Sequence, residues 1–175
     1  MQKGVVRKRR RGQISEYGRQ LAEKQELKNQ YNLRERQFGK YVKDALSKKQ
    51  EEGASSDFLL QALESRLDST VFRMGLAQTR KQARQMVSHG HLLVNGKSVD
   101  IPSFHVKIGD VVSVHASSVK TTLFEHAKLA LKSYEAPSWL QLDKEKMEAT
   151  VKAKPILEEI APTVELPLVF EFYSR

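Results

Sequence analysis

Between Thr79 and Val99 the chain carries Arg80, Lys81, Arg84, His89, His91 and Lys97, and no Asp or Glu. At 100° per residue, Arg80, Lys81, Arg84, Gln85 and Ser88 fall on one side of a helix, while Ala83, Met86 and Val87 fall on the other. Guanidinium, ammonium, amide and hydroxyl groups on one rigid face are donors for phosphate and sugar oxygens, which is the chemistry of nucleic-acid binding. Every amphipathic helix has a polar face, so the split alone proves little. A face meant only for water usually mixes signs, and this one does not. Asn95-Gly96, between Leu92–Val94 and Lys97–Val99, predicts a tight hairpin that puts Lys97 at a turn close after the basic helix.

Catalytic and metal chemistry find little support. His89 and His91 stand two residues apart at a helix end and read as a dipole partner or a phosphate contact ahead of a metal pair. His105, His115 and His126 are dispersed. There is no Walker or dinucleotide glycine loop and no Gly-x-Ser-x-Gly elbow. The pairs Glu51-Glu52 and Glu158-Glu159 sit in polar or turn-like contexts and read as solvated charge. No enzyme activity, cofactor or metal is expected.

The charge is unevenly placed. The chain has 175 residues and a formal charge of +9, a balance that suggests a polyanionic partner. Residues 1–50 hold 15 Lys and Arg against 5 Asp and Glu; the remainder holds 15 against 16. The basic excess is therefore N-terminal, and a basic patch further on must come from local placement. The absence of cysteine rules out disulfides and thiolate metal sites and fits a reducing compartment. With no apolar run near the ~20 residues of a membrane span and no signal-peptide core, a cytoplasmic protein without membrane contact is expected.

The elements that must position the basic helix follow in chain order. Arg7, Lys8, Arg9, Arg10 and Arg11 form a run that should be disordered alone. It reads as a solvated tail or targeting signal, or as an arm that orders on phosphates through counterion release; beside the rest of the chain the second is preferred. A helix is predicted over 15–29, capped by Ser15, with Leu21 and Leu27 apolar and Arg19, Glu23, Lys24 and Lys28 solvated. Tyr31-Asn32 marks a break, and Phe38, Tyr41, Val42, Ala45 and Leu46 then form a second helical stripe. SKKQEEGASSD (47–57) reads as a linker whose Asp57 caps the next helix. Leu60, Leu63, Leu67, Val71 and Met74 predict one helix ended by Gly75, with Arg66 and Arg73 off its stripe and Asp68 in an ordinary surface pair. Thr79 and Gln82 have capping-box spacing, and so do Thr122 and Glu125 at the head of a third marked helix with Phe124, Ala127, Leu131 and Tyr134 as its stripe. Val112 and Val114 alternate in a half-buried strand; Trp139-Leu140 reads as a core anchor, 149–153 as a strand, 155–160 as a helical turn, and 168–173 as a last strand.

At this point the residues carry a resemblance. RLDSTVFRMGLAQTRKQARQMVSHGHLLVNGKSVDIPSFHVKIGDVV (66–112) closely resembles the S-four RNA-binding domain. Its flanks, ISEYGRQLAEKQELKNQYNLRERQFGKYVKDAL and LPLVFEFYSR, resemble the helical segment and the C-terminus of the bacterial ribosomal protein S-four family. The match runs from about Gly12 to Arg175. The resemblance implies an α+β fold. A basic tail (1–14) and a helical subdomain (15–57) precede the RNA-binding domain (58–120), whose helices pack on a small, mainly antiparallel twisted sheet. Residues 121–175 complete the helical subdomain.

The resemblance also implies a primary binder of 16S rRNA that nucleates assembly of the small-subunit body and contributes to decoding accuracy. The implied partners are ribosomal protein S-five and other small-subunit proteins, with a position near the mRNA entrance. By motif match the RNA-facing residues are Arg66, Arg80, Lys81, Arg84, Gln85, Ser88, His89, His91, Asn95 and Lys97, joined upstream by Tyr17, Arg19, Lys24, Lys28 and Arg36. The family's further N-terminal segment, sometimes with zinc-binding cysteines, has no counterpart in this sequence, so neither that zinc site nor that segment's rRNA contacts are expected. Glu26 stands where a basic residue is common, and SKKQEEGASSD replaces a shorter, Gly-rich connection. Two rivals stay open: an RNA-modifying enzyme carrying the same module, which would need a separate catalytic domain, and a free-standing RNA-binding or ribosome-rescue factor.

Overall fold

The computed structural model describes residues 15–48, 54–160 and 162–174; the basic run Arg7–Arg11 and the middle of the expected linker lie outside the described residues. Helix α1 (Glu16–Gln30) starts where the Ser15 hydroxyl accepts the Gly18 N–H at 3.1 Å. Asn32, at φ +51°, reverses the chain into α2 (Glu35–Ser47), whose buried face is Phe38, Val42 and Ala45. Helices α3 (Ala54–Glu64), α4 (Leu67–Arg73) and α5 (Arg80–Ser88) follow, then β1 (Leu92–Val94), β2 (Lys97–Ser98), β3 (Val111–Val114), α6 (Thr122–Leu131), β4 (Leu140–Asp143), β5 (Glu148–Val151), α7 (Leu157–Ile160) and α8 (Leu166–Tyr173). The strands form one antiparallel sheet in the order β2-β1-β3-β5-β4. This is the α+β architecture expected. No helix among the described residues is long and apolar enough to cross a membrane.

Two cores divide the chain. One gathers α4, α5, the sheet and α6, with Leu67, Met86, Val112, Phe124 and Trp139 among its buried members. The other gathers α1, α2 and α3 with the C-terminal stretch, through Leu27, Phe38, Leu60, Leu63, Ile160 and Val169. The boundaries therefore differ from those expected. Helix α3 belongs to the helical core, because Leu59, Leu60 and Leu63 face it. Residues 122–151 belong to the sheet core: β5 extends the sheet on β3, and Phe124 and Leu131 pack beneath it. Only α7 and α8 return to complete the helical part.

Several sequence expectations need correction. The single helix over 57–74 is two. The break falls at Ser65-Arg66, where Arg66 is extended and the backbone pairs instead with the 104–106 loop (Leu67 N–H to Phe104 O 2.7 Å, Val106 N–H to Ser65 O 2.8 Å). The leucine stripe runs on across the break because each half buries its leucines, in different cores. Asp57 lies inside α3 rather than capping it. The cap of α6 is Thr121, with no side-chain cap bond, so Thr122 and Glu125 form no capping box. Strand β4 was not anticipated beyond the anchor Trp139, which is buried. The expected last strand is α8. Pro167 sits in its first turn, where the missing N–H costs nothing, and Leu166 and Val169, three apart, share the buried face. A short apolar run does not distinguish strand from helix, and packing on α1 and α2 decided it.

Gly75, at φ +78°, closes α4 and admits the Tyr134 ring, whose hydroxyl donates to Arg73 O at 2.9 Å. A Cβ at this position would lie 2.6 Å from the ring. Gly75→Ala combines backbone strain with a clash and is expected to lower stability by roughly 3 kcal/mol. Gly90→Ala, at φ +73° with nothing within 4 Å of its added Cβ, is expected to cost about 1 kcal/mol. Urea midpoints at a shared slope measure both, and equal losses would show that the Tyr134 contact does not matter.

Candidate nucleic-acid interface

Helix α5 is set up as its residues suggest on one face and differently on the other. Thr79 accepts the Gln82 N–H at 3.1 Å, and the Gln82 side chain accepts the Gln78 N–H at 2.8 Å. Ala83, Met86 and Val87 are buried. Lys81, Gln85 and Ser88 are exposed, and Arg84 is half-buried with one N–H given to Asn32 O at 3.1 Å. His89 follows, exposed, before Gly90 closes the helix. His91 is half-buried, its Nδ1 2.8 Å from the Ser118 hydroxyl and its ring edge-on to Phe124. The hairpin forms as predicted: Asn95 and Gly96 have φ of +50° and +76°, and Val94 pairs with Lys97. The exposed Lys97 therefore follows the turn directly.

Arg80 is not on the outer face. Its guanidinium is buried, 4.3 Å from the Tyr31 ring centroid and 4.6 Å from that of Phe72, and it donates to Glu64 at 2.9 Å. Glu64 is wholly buried at the end of α3. It also accepts two bonds from Arg73, at 2.8 and 3.0 Å, and one from the Tyr31 hydroxyl at 2.7 Å. One carboxylate thus joins the α1–α2 turn, α3, α4 and α5. Burial pushes its pKa up, but the Arg73 hydrogen bonds, the two arginine charges and the Tyr31 hydroxyl outweigh burial and hold it below the usual carboxylate value. Burial, with the Glu64 charge beside it, pushes the Tyr31 hydroxyl well above its ordinary value.

Arg66 and Lys24 likewise face inward. Arg66 is 1% exposed; it grips Asp68 through two bonds (3.0 and 2.7 Å) and donates to the Tyr41 hydroxyl at 2.9 Å. The expected surface pair of Asp68 is thus a buried one. Burial opposes the Arg66 charge, but Asp68 and Tyr41 more than compensate and raise its pKa. Beside it, burial and then the Arg66 charge lower the pKa of His105. Lys24, expected in solvent, is buried in an ion pair with Glu35, 4.6 Å from the Phe172 centroid. Lys28 reaches the same carboxylate at 3.4 Å. The Asn95 side chain, though exposed, is held by Asp110 (2.8 Å) and the Val111 N–H (2.9 Å).

The expected site residues therefore divide. Lys81, Arg84, Gln85, Ser88 and His89 share one surface on α5 and its end, and the Arg84–Asn32 bond ties that surface to the α1–α2 turn. Arg19 and Arg36 are exposed on α1 and α2, and Tyr17 is exposed with its ring 5.6 Å from Phe172. Lys24, Arg66 and Arg80 have their charges paired inside, although Nη1 of Arg80 is buried with no hydrogen-bond partner. Among the described residues no cluster of three or more His, Asp or Glu side chains is arranged to hold a metal. Sequence reasoning missed Glu64, Tyr31 and Arg73. A signal was present: Glu64, four residues after Leu60 and three before Leu67, falls on the apolar face, where a carboxylate demands partners.

Comparison with known proteins matches two family models to the chain. A family model described as "S4 domain" matches residues 65–112, and one described as "Ribosomal protein S4/S9 N-terminal domain" matches residues 1–64, so the border falls at the α3–α4 break. The small ribosomal subunit protein uS4 of Chromobacterium violaceum is 44% identical over 166 residues, covering 95% of this chain and 79% of that protein. The uS4 protein of Herpetosiphon aurantiacus is 47% identical over 168 residues (95% and 78%), and that of Acetivibrio thermocellus 45% over 162 residues (93% and 76%).

Glu64→Gln keeps the shape but removes the charge between two arginines, and is expected to cost about 3–5 kcal/mol. The pKa of Glu64 is lowered in the folded state, so its contribution is complete above the carboxylate's ordinary value of 4.5 and is lost as pH falls through the lower folded value. Denaturation followed from pH 7 downward is expected to show a shallower acid slope in the variant. A parallel slope would mean that Glu64 does not carry this part of the acid sensitivity.

Proposed function

The chain belongs to the uS4 family of small-ribosomal-subunit proteins, and we propose that it serves as a structural, non-catalytic constituent of the small subunit that binds 16S rRNA and helps organise assembly of the subunit body. The observation that carries this reading is the outer face of α5, where Lys81, Arg84, Gln85 and Ser88 stand together with no acid among them. Folded RNA is read through phosphates, sugar hydroxyls and unpaired bases rather than through its deep major groove. A rigid helix with donors on one side suits that task. His89, Lys97 and the exposed Arg19 and Arg36 extend the contact surface. Lys24, Arg66 and Arg80 act as positioning residues that fix where the surface lies. Arg7 to Arg11 add less specific affinity through counterion release.

Two finer partners belong to the same reading. A contact with ribosomal protein S-five, bearing on decoding accuracy, is supported by the meeting of the two flanks that carry the family resemblance: exposed Tyr17 on α1 stands against Phe172 on α8. A place near the mRNA entrance is supported by the cationic N-terminal run.

Lys81→Ala with Arg84→Ala is expected to weaken binding to the cognate rRNA fragment and to flatten the salt dependence by roughly one unit per lost phosphate contact. An unchanged salt slope in the folded double mutant would overturn the assignment. Arg80→Ala is expected instead to lower stability. Gradient fractionation at high salt tests the role as a whole: a structural constituent stays on small subunits, and release into the soluble fraction would indicate a free-standing factor.

A further inference from the structure

A groove of about 710 Å³ opens at the joint between the two cores, away from the contact face of α5. Its floor is apolar, built from Phe58 and Ala62 of α3, Ile108 of the 106–109 loop and Pro155 beyond β5. Ile108 is 58% exposed, and Ile156, next to Pro155, is 47% exposed. Scattered apolar side chains on a surface mean little, but an exposed isoleucine lining an apolar groove, with a second exposed one next in sequence to the lining Pro155, marks a contact. Lysines from three separate elements line the same groove, Lys48 at the end of α2, Lys107 and Lys154, against one acid, Asp44. Three cations brought together by folding from distant parts of the chain define the complement: apolar in its middle and acidic on its flanks.

We propose that this groove docks an acidic, apolar-anchored segment of another protein of the small subunit. RNA would also satisfy the lysines, but the larger aromatic rings here are engaged by neighbours or buried. Lys48 lies 4.0 Å over the Phe58 ring. Tyr41 is engaged by the edge of His105, and its hydroxyl by Arg66. Trp139 is 1% exposed. Base stacking is how unpaired nucleotides are held in such sites. An apolar floor ringed by cations instead matches the apolar centre and polar rim of a protein interface. The groove also touches the 104–106 loop that pairs with Ser65 and Leu67, so an occupant would brace the joint between the cores.

This inference rests on the reading of the chain as a small-subunit constituent, and one experiment separates the two. Ile108, exposed at the groove, is replaced with photoreactive p-benzoylphenylalanine in the full chain, and purified small subunits carrying it are irradiated and digested for mass spectrometry. The expected adduct is to a peptide of another small-subunit protein in which apolar residues are flanked by Asp or Glu. It is expected to be lost when Lys48→Glu, Lys107→Glu and Lys154→Glu are combined in chains that still sediment with the subunit. Adducts only to rRNA, only to another stretch of this chain, or to nothing would overturn the docking proposal, as would an adduct indifferent to the charge reversal. A chain that does not sediment with small subunits at all would overturn the ribosomal reading, and the docking proposal with it.

Discussion

The fold turns on a carboxylate with no access to water. Glu64 accepts four hydrogen bonds from three side chains, and those side chains come from the α1–α2 turn, from α4 and from α5. Taking a carboxylate and two guanidiniums out of water costs several kcal/mol per ion, and only good geometry with every lone pair engaged recovers it. Leucines of equal volume could hold these helices together as firmly. What they would not supply is direction. A carboxylate with two oxygens and a bidentate arginine admits one arrangement of its partners, so the pitch and register of α5 against the helical half are fixed. The outer face of α5 inherits that precision without contributing to it.

Which parts of this were legible in the sequence follows from what kind of signal each carries. Helix α5, the Asn95-Gly96 hairpin and the closing turns at Gly75 and Gly90 are local: a cap, a sign of charge, a residue that tolerates positive φ. Those were readable. The break at Ser65-Arg66 has no glycine or proline to announce it, and the leucine stripe passes across it undisturbed, because the two sides face different cores. Helix α8 had the alternation of a strand, and only its packing on α1 and α2 overrode that. Burial of Arg66, Arg80 and Lys24 was illegible for the same reason. A long cationic side chain at a helix edge snorkels outward or turns inward according to whether a carboxylate waits there, and the carboxylates, Asp68, Glu64 and Glu35, come from elsewhere in the fold or from a residue that reads as ordinary surface charge.

The C-terminal return brings α8 onto α1 and α2. Helix α8 lays Tyr173 over Gly39, whose added Cβ would stand only 3.3 Å from the ring, and the Tyr173 hydroxyl donates to Glu35 at 2.8 Å. Burial, then Glu35 itself, raises the pKa of that hydroxyl. Gln20 donates to Glu171 at 2.9 Å, and the Glu165 N–H donates to Glu23 at 2.8 Å. The helical half is thus made from both flanks of the module. Neither flank can be judged as an appendage, and the exposed Tyr17–Phe172 contact exists only because they meet.

A basic protein that binds a polyanion is commonly read as a set of contacts, one for each cation. Here the cations serve two different ends. Arg73 and Arg80 bring two positive charges to one negative charge at Glu64, leaving an excess of one beneath the helix that bears Lys81 and Arg84. Coulombic potential does not require exposure: a buried excess a turn or two below a surface is screened less by salt than an exposed charge and adds to the field there. The inward arginines therefore act on the outer face twice, by aiming the helix and by raising the potential along it. Loss of an outer lysine would remove one charge from that face, whereas loss of an inner arginine would remove the arrangement that aims it.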